Sequence, residues 1–189
     1  MKISICLLSC LLLCPVAALA ADPFNYDYVE LDYQHLSPQN GGTEHGPGLD
    51  FSYTVYDSLQ VVGSYARLDA SAPVSSITYD DYFVGIRGES NFDDSTDFVT
   101  DILYLSNHAG YQGTSSTDNG YRLALGLRHL FTARLEFDGS VGHNWLNQSS
   151  NDVTGGLLFN ATSWLAVGAS YSHNGVTNNT TSLQLRIYF

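Results

Sequence analysis

The strongest constraint on this chain is a hydrophobic period of two that recurs in blocks of about ten residues from Tyr26 to the C-terminus. Ten blocks are distinguishable, near residues 26–35, 48–56, 59–68, 79–88, 96–106, 120–129, 134–145, 152–159, 164–172 and 180–189. Successive side chains on a strand point to opposite faces, so this period dictates one apolar and one polar face. Tyr121, Leu123, Leu125 and Leu127 alternate with Arg122, Ala124, Gly126 and Arg128. Leu135, Phe137 and Val141 alternate with Glu136, Asp138 and Ser140, and Leu49, Phe51, Tyr53 and Val55 with Asp50, Ser52 and Thr54. The third block is ambiguous, because Val61, Gly63 and Tyr65 compete with Val62, Ala66 and Leu68 for the apolar face.

Only the N-terminus departs from this pattern. Met1-Lys2, an apolar run over 3–13 and Pro15-Val16-Ala17-Ala18-Leu19-Ala20 have the build of a secretory signal peptide, with cleavage expected after Ala20. The run is shorter than the roughly 20 residues a helical membrane span needs, and no later stretch is continuously apolar for that length. A lipoprotein box at Leu7-Leu8-Ser9-Cys10 is a poor alternative, since only residues 3–6 would precede it as an apolar segment. Cys6, Cys10 and Cys14 leave with the signal, so residues 21–189 are expected to form one domain without thiols or disulfides. Lys2 leaves too, and six Arg then face 19 Asp and Glu, a balance that argues against nucleic acid as a partner. Insertion into a membrane would have to use strands.

The connections support that reading. Turns 56–59, 130–133 and 160–163 are tight, whereas 37–47, 69–78, 107–119 and 173–179 are longer and rich in Gly, Ser and Asn. Short periplasmic turns alternating with long outer loops are the outer-membrane pattern. Two connections break the alternation: 89–95 is a fairly long periplasmic turn, and 146–151 a short outer loop. Aromatics fall near both ends of the blocks. Tyr26, Tyr28, Tyr56, Phe98, Phe131, Phe159, Trp164 and Phe189 mark the periplasmic ends, and Tyr33, Tyr65, Tyr79, Tyr104, Tyr121, Trp145 and Tyr171 the outer ends. Amphipathic rings prefer the headgroup level, so two girdles are expected. A soluble β-sandwich or lipocalin-like barrel would alternate similarly, but it does not account for twin aromatic belts.

The terminal segment Ser182-Leu183-Gln184-Leu185-Arg186-Ile187-Tyr188-Phe189 carries a family resemblance. With the pattern of residues 21–189, it resembles the small bacterial outer-membrane β-barrel superfamily that includes the OmpA/OmpX-type barrels. The resemblance implies an all-β, antiparallel up-and-down transmembrane barrel in the outer membrane. It also implies that Leu183, Leu185, Ile187 and Phe189 form the insertion signal read by the barrel-assembly machinery. Gln184 departs from the Gly common in that signal. Familiar members have eight strands, whereas the blocks here number ten, an even count that keeps both termini periplasmic. In a barrel of that width, Arg67, Arg87, Arg122, Arg128 and Arg186 are expected to meet Glu30, Asp32, Asp50, Asp81, Asp101, Glu136 and Asp138 across the lumen. Charges inside a bilayer must be paired or hydrated, so a plugged or narrow interior is expected.

Candidate chemistry is sparse. His35, His45, His108 and His173 fall at or near outer loops, where a metal shell would need carboxylates such as Glu44 or Asp118 to complete it, but no ligand spacing marks such a site. A lipid A deacylase needs a hydroxyl within reach of its base. Ser172 and His173 are adjacent and so point to opposite faces, while Ser106 and His108 share a face in the reverse of the deacylase order. Asp80-Asp81 and Asp93-Asp94 suggest an outer-membrane aspartyl-type protease, but Asp93-Asp94 lies in a periplasmic turn. Strand glycines Gly63, Gly85, Gly126, Gly142 and Gly168 are read as relief for large neighbours. The expectation is a monomeric, porin-like barrel without enzymatic activity, cofactor or metal. Its role would be surface interaction or envelope structure, with membrane lipids and lipopolysaccharide as partners. The alternatives are a narrow channel or a lipid A-modifying enzyme.

Overall fold

The computed structural model describes residues 24–38, 43–71, 76–111, 114–175 and 178–189. The expected signal peptide, the alternative lipoprotein box and the three cysteines lie outside the described residues, as do the tips of four expected outer connections. The ten strands are β1 (Tyr28–Pro38), β2 (Glu44–Tyr56), β3 (Leu59–Ser71), β4 (Ser76–Asp93), β5 (Thr96–Tyr111), β6 (Thr114–Thr132), β7 (Leu135–Trp145), β8 (Ser150–Asn160), β9 (Leu165–Asn174) and β10 (Asn178–Tyr188). Each pairs antiparallel with its sequence neighbours, and β1 closes on β10 from Tyr28↔Tyr188 to Pro38↔Asn178. The result is a closed ten-strand barrel, as the block count predicts, and closure leaves no unpaired sheet edge.

Burial is inverted relative to a water-soluble protein. Leu125 and Leu183 are 58% and 66% exposed on the outer wall, while Arg128 and Arg186 are only 1% and 4% exposed inside. That inversion is what lipid outside and a polar lumen inside require, and it disfavours a soluble sandwich. In β3 the ambiguity resolves with Val62, Ala66 and Leu68 inward, and Phe51 of β2 lies over the space beside Gly63.

Several boundaries differ from expectation, most of them on the outer side. The outer stretches are Ser-, Thr-, Asn- and Gly-rich, so hydrophobic alternation fades there while backbone pairing continues. The expected loop 107–119 is mostly hairpin, with Tyr111↔Thr114 still in register, and β4, β5 and β6 reach 18, 16 and 19 residues. The expected long turn 89–95 is likewise paired down to Asp93↔Thr96. At the tight β2–β3 turn, Asp57 takes a φ of 31°, a left-handed conformation that Asp tolerates better than most residues.

The aromatic belts also need correction at the end expected to be periplasmic. Tyr56, Phe98, Phe131, Phe159 and Trp164 are exposed on the wall, but Tyr26 and Tyr28 are 4% and 7% exposed and lie inside. Tyr28 shares the inward parity of Glu30, and Tyr26 precedes the strand altogether. At the outer end Tyr33, Tyr65, Tyr104, Tyr121, Trp145 and Tyr171 face outward, whereas Tyr79 is half-buried.

Candidate functional site

The lumen is built from the polar face of every strand, and its centre is a set of arginine–carboxylate pairs. Arg87 on β4 stands opposite Asp101 on β5 and binds it through two bonds, Nε to Oδ1 at 2.7 Å and Nη2 to Oδ2 at 2.9 Å. Arg186 on β10 stands opposite Glu30 on β1 and donates Nε to Oε2 at 2.7 Å, so a buried ion pair spans the seam that closes the barrel. Arg128 on β6 is opposite Asp138 but donates Nε to Glu136, one inward position lower on β7, at 2.7 Å. Two-bond guanidinium–carboxylate contacts are directional as well as strong, which suits a wall that must hold its register.

The fourth pair spans two strand spacings. Arg122 on β6 reaches past β7 to Asp152 on β8, donating Nη2 to Oδ2 at 2.6 Å and Nε to Oδ1 at 3.2 Å. The intervening residue is Gly142, where a Cβ would sit 2.8 Å from both Arg122 Nε and Asp152 Oδ1. Its missing side chain opens the path, and Asn144 on the same strand donates to Asp152 Oδ1 at 2.9 Å. Asp152 was absent from the charges expected in the lumen. Outward Val153, Leu157 and Phe159 give it inward parity, a signal present in the sequence.

The remaining expected charges are placed differently. Asp138 lines a central cavity of about 230 Å³ together with Glu30, Asp50, Arg87, Arg122 and Arg186. Asp32 faces inward and fills the space left by Gly48. Asp81 faces inward on β4 with no arginine paired to it among the described residues, and Arg67 points the other way. Arg67 is on the outer wall with its side chain 56% exposed, 3.9 Å from Asp80, which also accepts a 2.6 Å bond from the Tyr65 hydroxyl. The expectation of a lumenal Arg67 is therefore corrected: its parity follows Tyr65, not Ala66.

Below the ion pairs lies an aromatic floor that periodicity did not reveal. The segment before β1 turns into the barrel, burying Phe24 and Tyr26 against Val99 and Leu130. The Arg128 guanidinium carbon is 5.0 Å from the Phe24 ring centroid and 4.4 Å from that of Tyr26, and Nη1 donates to the Asn25 carbonyl at 3.3 Å. The Tyr26 hydroxyl donates to Asp97 Oδ2 at 2.9 Å. Beside it, Arg186 lies 4.1 Å from the Tyr28 ring centroid, and Tyr28 meets Tyr188 edge to face at 6.2 Å. Cation–π contacts of this kind strengthen where water is excluded.

The terminal residues Leu183, Leu185 and Ile187 face outward on β10, and Phe189 stacks near Tyr53 at 6.5 Å. The enzyme candidates are scattered. Ser172 faces inward and accepts from Thr154 Oγ1 at 3.0 Å, while the His173 ring meets Asn179 outside. His108 Nδ1 lies 3.0 Å from Thr117 Oγ1 and not against Ser106. Asp80 and Asp81 take opposite faces, and Asp93 accepts from Ser95 within its turn. Among the described residues, no three His, Cys, Asp or Glu side chains converge as metal ligands.

Comparison with known proteins adds the fold's setting. No protein-family model and no curated protein matches the chain. Among solved structures, the KdgM porin in complex with disordered oligogalacturonate is similar at TM-score 0.51 and 12% identity, over 85% of this chain and 99% of that one. The NanC porin is similar at TM-score 0.50 and 10% identity, over 84% of this chain and 100% of that one. The β domain of the Bordetella autotransporter BrkA is similar at TM-score 0.50 and 10% identity, over 87% and 99%. At these identities the likeness is one of fold, that of small bacterial outer-membrane β-barrels.

Proposed function

We propose that this protein is a closed, monomeric outer-membrane barrel of the OmpA/OmpX kind that acts at the cell surface without catalysing a reaction. In this reading residues 1–20 direct export, residues 21–189 are the barrel, and Leu183, Leu185, Ile187 and Phe189 present the strand that the assembly machinery recognises. The observation that carries it is the ion-paired, narrowed lumen. Four arginines are bound to carboxylates across the wall, and Phe24 and Tyr26 pack inside it against Val99 and Leu130. Function then falls to the outer side, where the lengthened β4, β5 and β6 project polar residues such as Asn107, His108, Thr117 and Asp118. These offer hydrogen bonds to lipopolysaccharide sugars or to neighbouring cell surfaces.

A narrow channel is the second reading, favoured by the charged central cavity of about 230 Å³. Planar-bilayer recording on the refolded barrel separates the two. The closed-barrel reading expects a baseline no different from bare bilayer. Stable conductance steps would overturn it in favour of the channel.

A further inference from the structure

The chain before β1 crosses the lumen. β1 begins at Tyr28, so residues 24–27 lie outside the strand ladder and add no rung to it. Their root is at the closing seam. Asp27 Oδ1 accepts a 2.5 Å bond from Thr54 N on β2, and the Asp27 carbonyl accepts a 3.1 Å bond from Phe189 N, just past β10. Their tip is on the far wall: Tyr26 donates to Asp97 on β5, and Arg128 on β6 packs on Tyr26 and Phe24 and donates to the Asn25 carbonyl. β6 is five strands from β1 in either direction around the closed sheet, which is the point diametrically opposite.

Ten strands about 4.8 Å apart and tilted about 40° enclose a tube roughly 20 Å across between backbones. Two groups bridge that width. The segment runs in from β1, Arg128 reaches in from β6, and they meet with the guanidinium carbon 4.4 Å from the Tyr26 ring centroid. Phe24 and Tyr26 are 2% and 4% exposed although no strand carries them, so the lumen itself encloses their rings. In the remaining sector Tyr28, Leu158, Ala166 and Tyr188, from β1, β8, β9 and β10, form a second buried cluster at the same end.

Directly above that cluster lies the cavity of about 230 Å³, which touches Tyr28 and Leu158 and is lined by at least one residue from each of the ten strands. A space bounded by every strand is the cross-section of the lumen, so the arginine–carboxylate pairs narrow the bore at this height without sealing it. On β5 Val99 packs against the segment, while Asp101 and Leu103, the next two inward positions, line the cavity. The cavity is several times the roughly 30 Å³ that one water molecule occupies in the liquid, and Asp50, Asp138 and Ser140 in its wall suit water and ions.

We propose that residues 24–27 are a displaceable strap that seals one mouth of a latent ion channel. With the strap seated, the lumen ends at Phe24 and Tyr26. With it withdrawn, Asp97, Arg128 and Glu136 face water, and the central cavity opens to the compartment into which β1 and β10 lead. The strap's seat is made of side-chain contacts and two backbone bonds outside the strand pairing, so it can leave while the barrel stays closed as a sheet. The proposal rests on the closed-barrel reading above and names what does the closing.

The test is planar-bilayer recording on refolded residues 21–189, on residues 27–189, and on residues 21–189 carrying Phe24→Ala and Tyr26→Ala. Long-lived conductance steps are expected from the second and brief ones from the third, against a silent full barrel. Phe98→Ala, which removes an exposed ring from the outer wall at the same end, should stay silent. A parallel set carries Ser140→Cys, since Ser140 lines the cavity and the chain after residue 20 holds no cysteine. A small charged thiol reagent should modify that position faster in either strap variant than in the full barrel. Heat-modifiable gel mobility is read for every protein. A strap variant with normal mobility that stays silent overturns the channel, and one that is modified no faster overturns the strap as its seal; either result leaves the closed-barrel reading standing. Conductance steps from the full barrel overturn both. Should residues 27–189 not fold, the double-alanine variant decides, and absence of barrel mobility in the full chain refutes the barrel itself.

Discussion

Arg128→Met is the sharpest probe of the lumen, because one side chain there joins the wall, the ion pairs and the aromatic floor. The wild-type guanidinium is 1% exposed, bonded to Glu136 at 2.7 Å and set against both Phe24 and Tyr26. Methionine fills similar space but leaves Glu136, itself 2% exposed, without its cation. Breaking a buried pair from one side costs about 3–5 kcal/mol. Losing two desolvated cation–π contacts adds about 1–2 kcal/mol each, and these terms overlap with the ion-pair loss because they share one group. A destabilisation of about 4 kcal/mol is therefore expected, read by urea titration of the barrel in lipid vesicles with Trp145 and Trp164 as the fluorescent reporters. The double variant Arg128→Met, Glu136→Gln should recover about 2 kcal/mol, because the uncompensated carboxylate is removed. Limited proteolysis should cut near Asn25 in both variants, since the floor has lost its anchor. A loss below about 1 kcal/mol in the single variant, or a double variant no more stable than the single, would refute the pairing argument.

Two further perturbations isolate other parts of the design. Gly142→Val places atoms where Arg122 and Asp152 meet, so it should destabilise by about 2 kcal/mol in the same titration, while Gly142→Ala should cost less. Asp93 accepts bonds from Ser95 N and Ser95 Oγ at 2.8 Å each, and the backbone bond in particular holds its carboxyl below the ordinary aspartate range. A depressed folded value stabilises above the unfolded value and is lost as pH falls through the folded one. Asp93→Ala should therefore unfold more readily than wild type near neutrality, with the difference narrowing in acid below the ordinary aspartate range; a gap that widens there would refute the assignment.

What the sequence makes legible here is parity, and what it hides is register. Alternation places Leu183, Leu185 and Ile187 on one face and Gln184 and Arg186 on the other, and closure of ten strands follows from repeating that rule. Parity also makes Asp152 inward once Val153 and Leu157 are taken as lipid-facing. No period reveals that Arg122 crosses β7 to reach it, because that contact needs the β6–β7–β8 register and the missing side chain of Gly142. The same limit applies outside. His143 and Asn151, or His173 and Asn179, look like solvated loop residues until pairing sets them face to face, at which point each imidazole meets the amide through Nδ1. Tyr26 fails for a different reason: it reads as a girdle residue because aromatic belts and aromatic floors have the same composition at a strand's end. Only the turn of the chain before β1 separates them, and that turn is set by Arg128 and Asp97, 102 and 71 residues away. Local pattern thus specifies a barrel, while its distinguishing chemistry lies in which residues the shear of the closed sheet brings level.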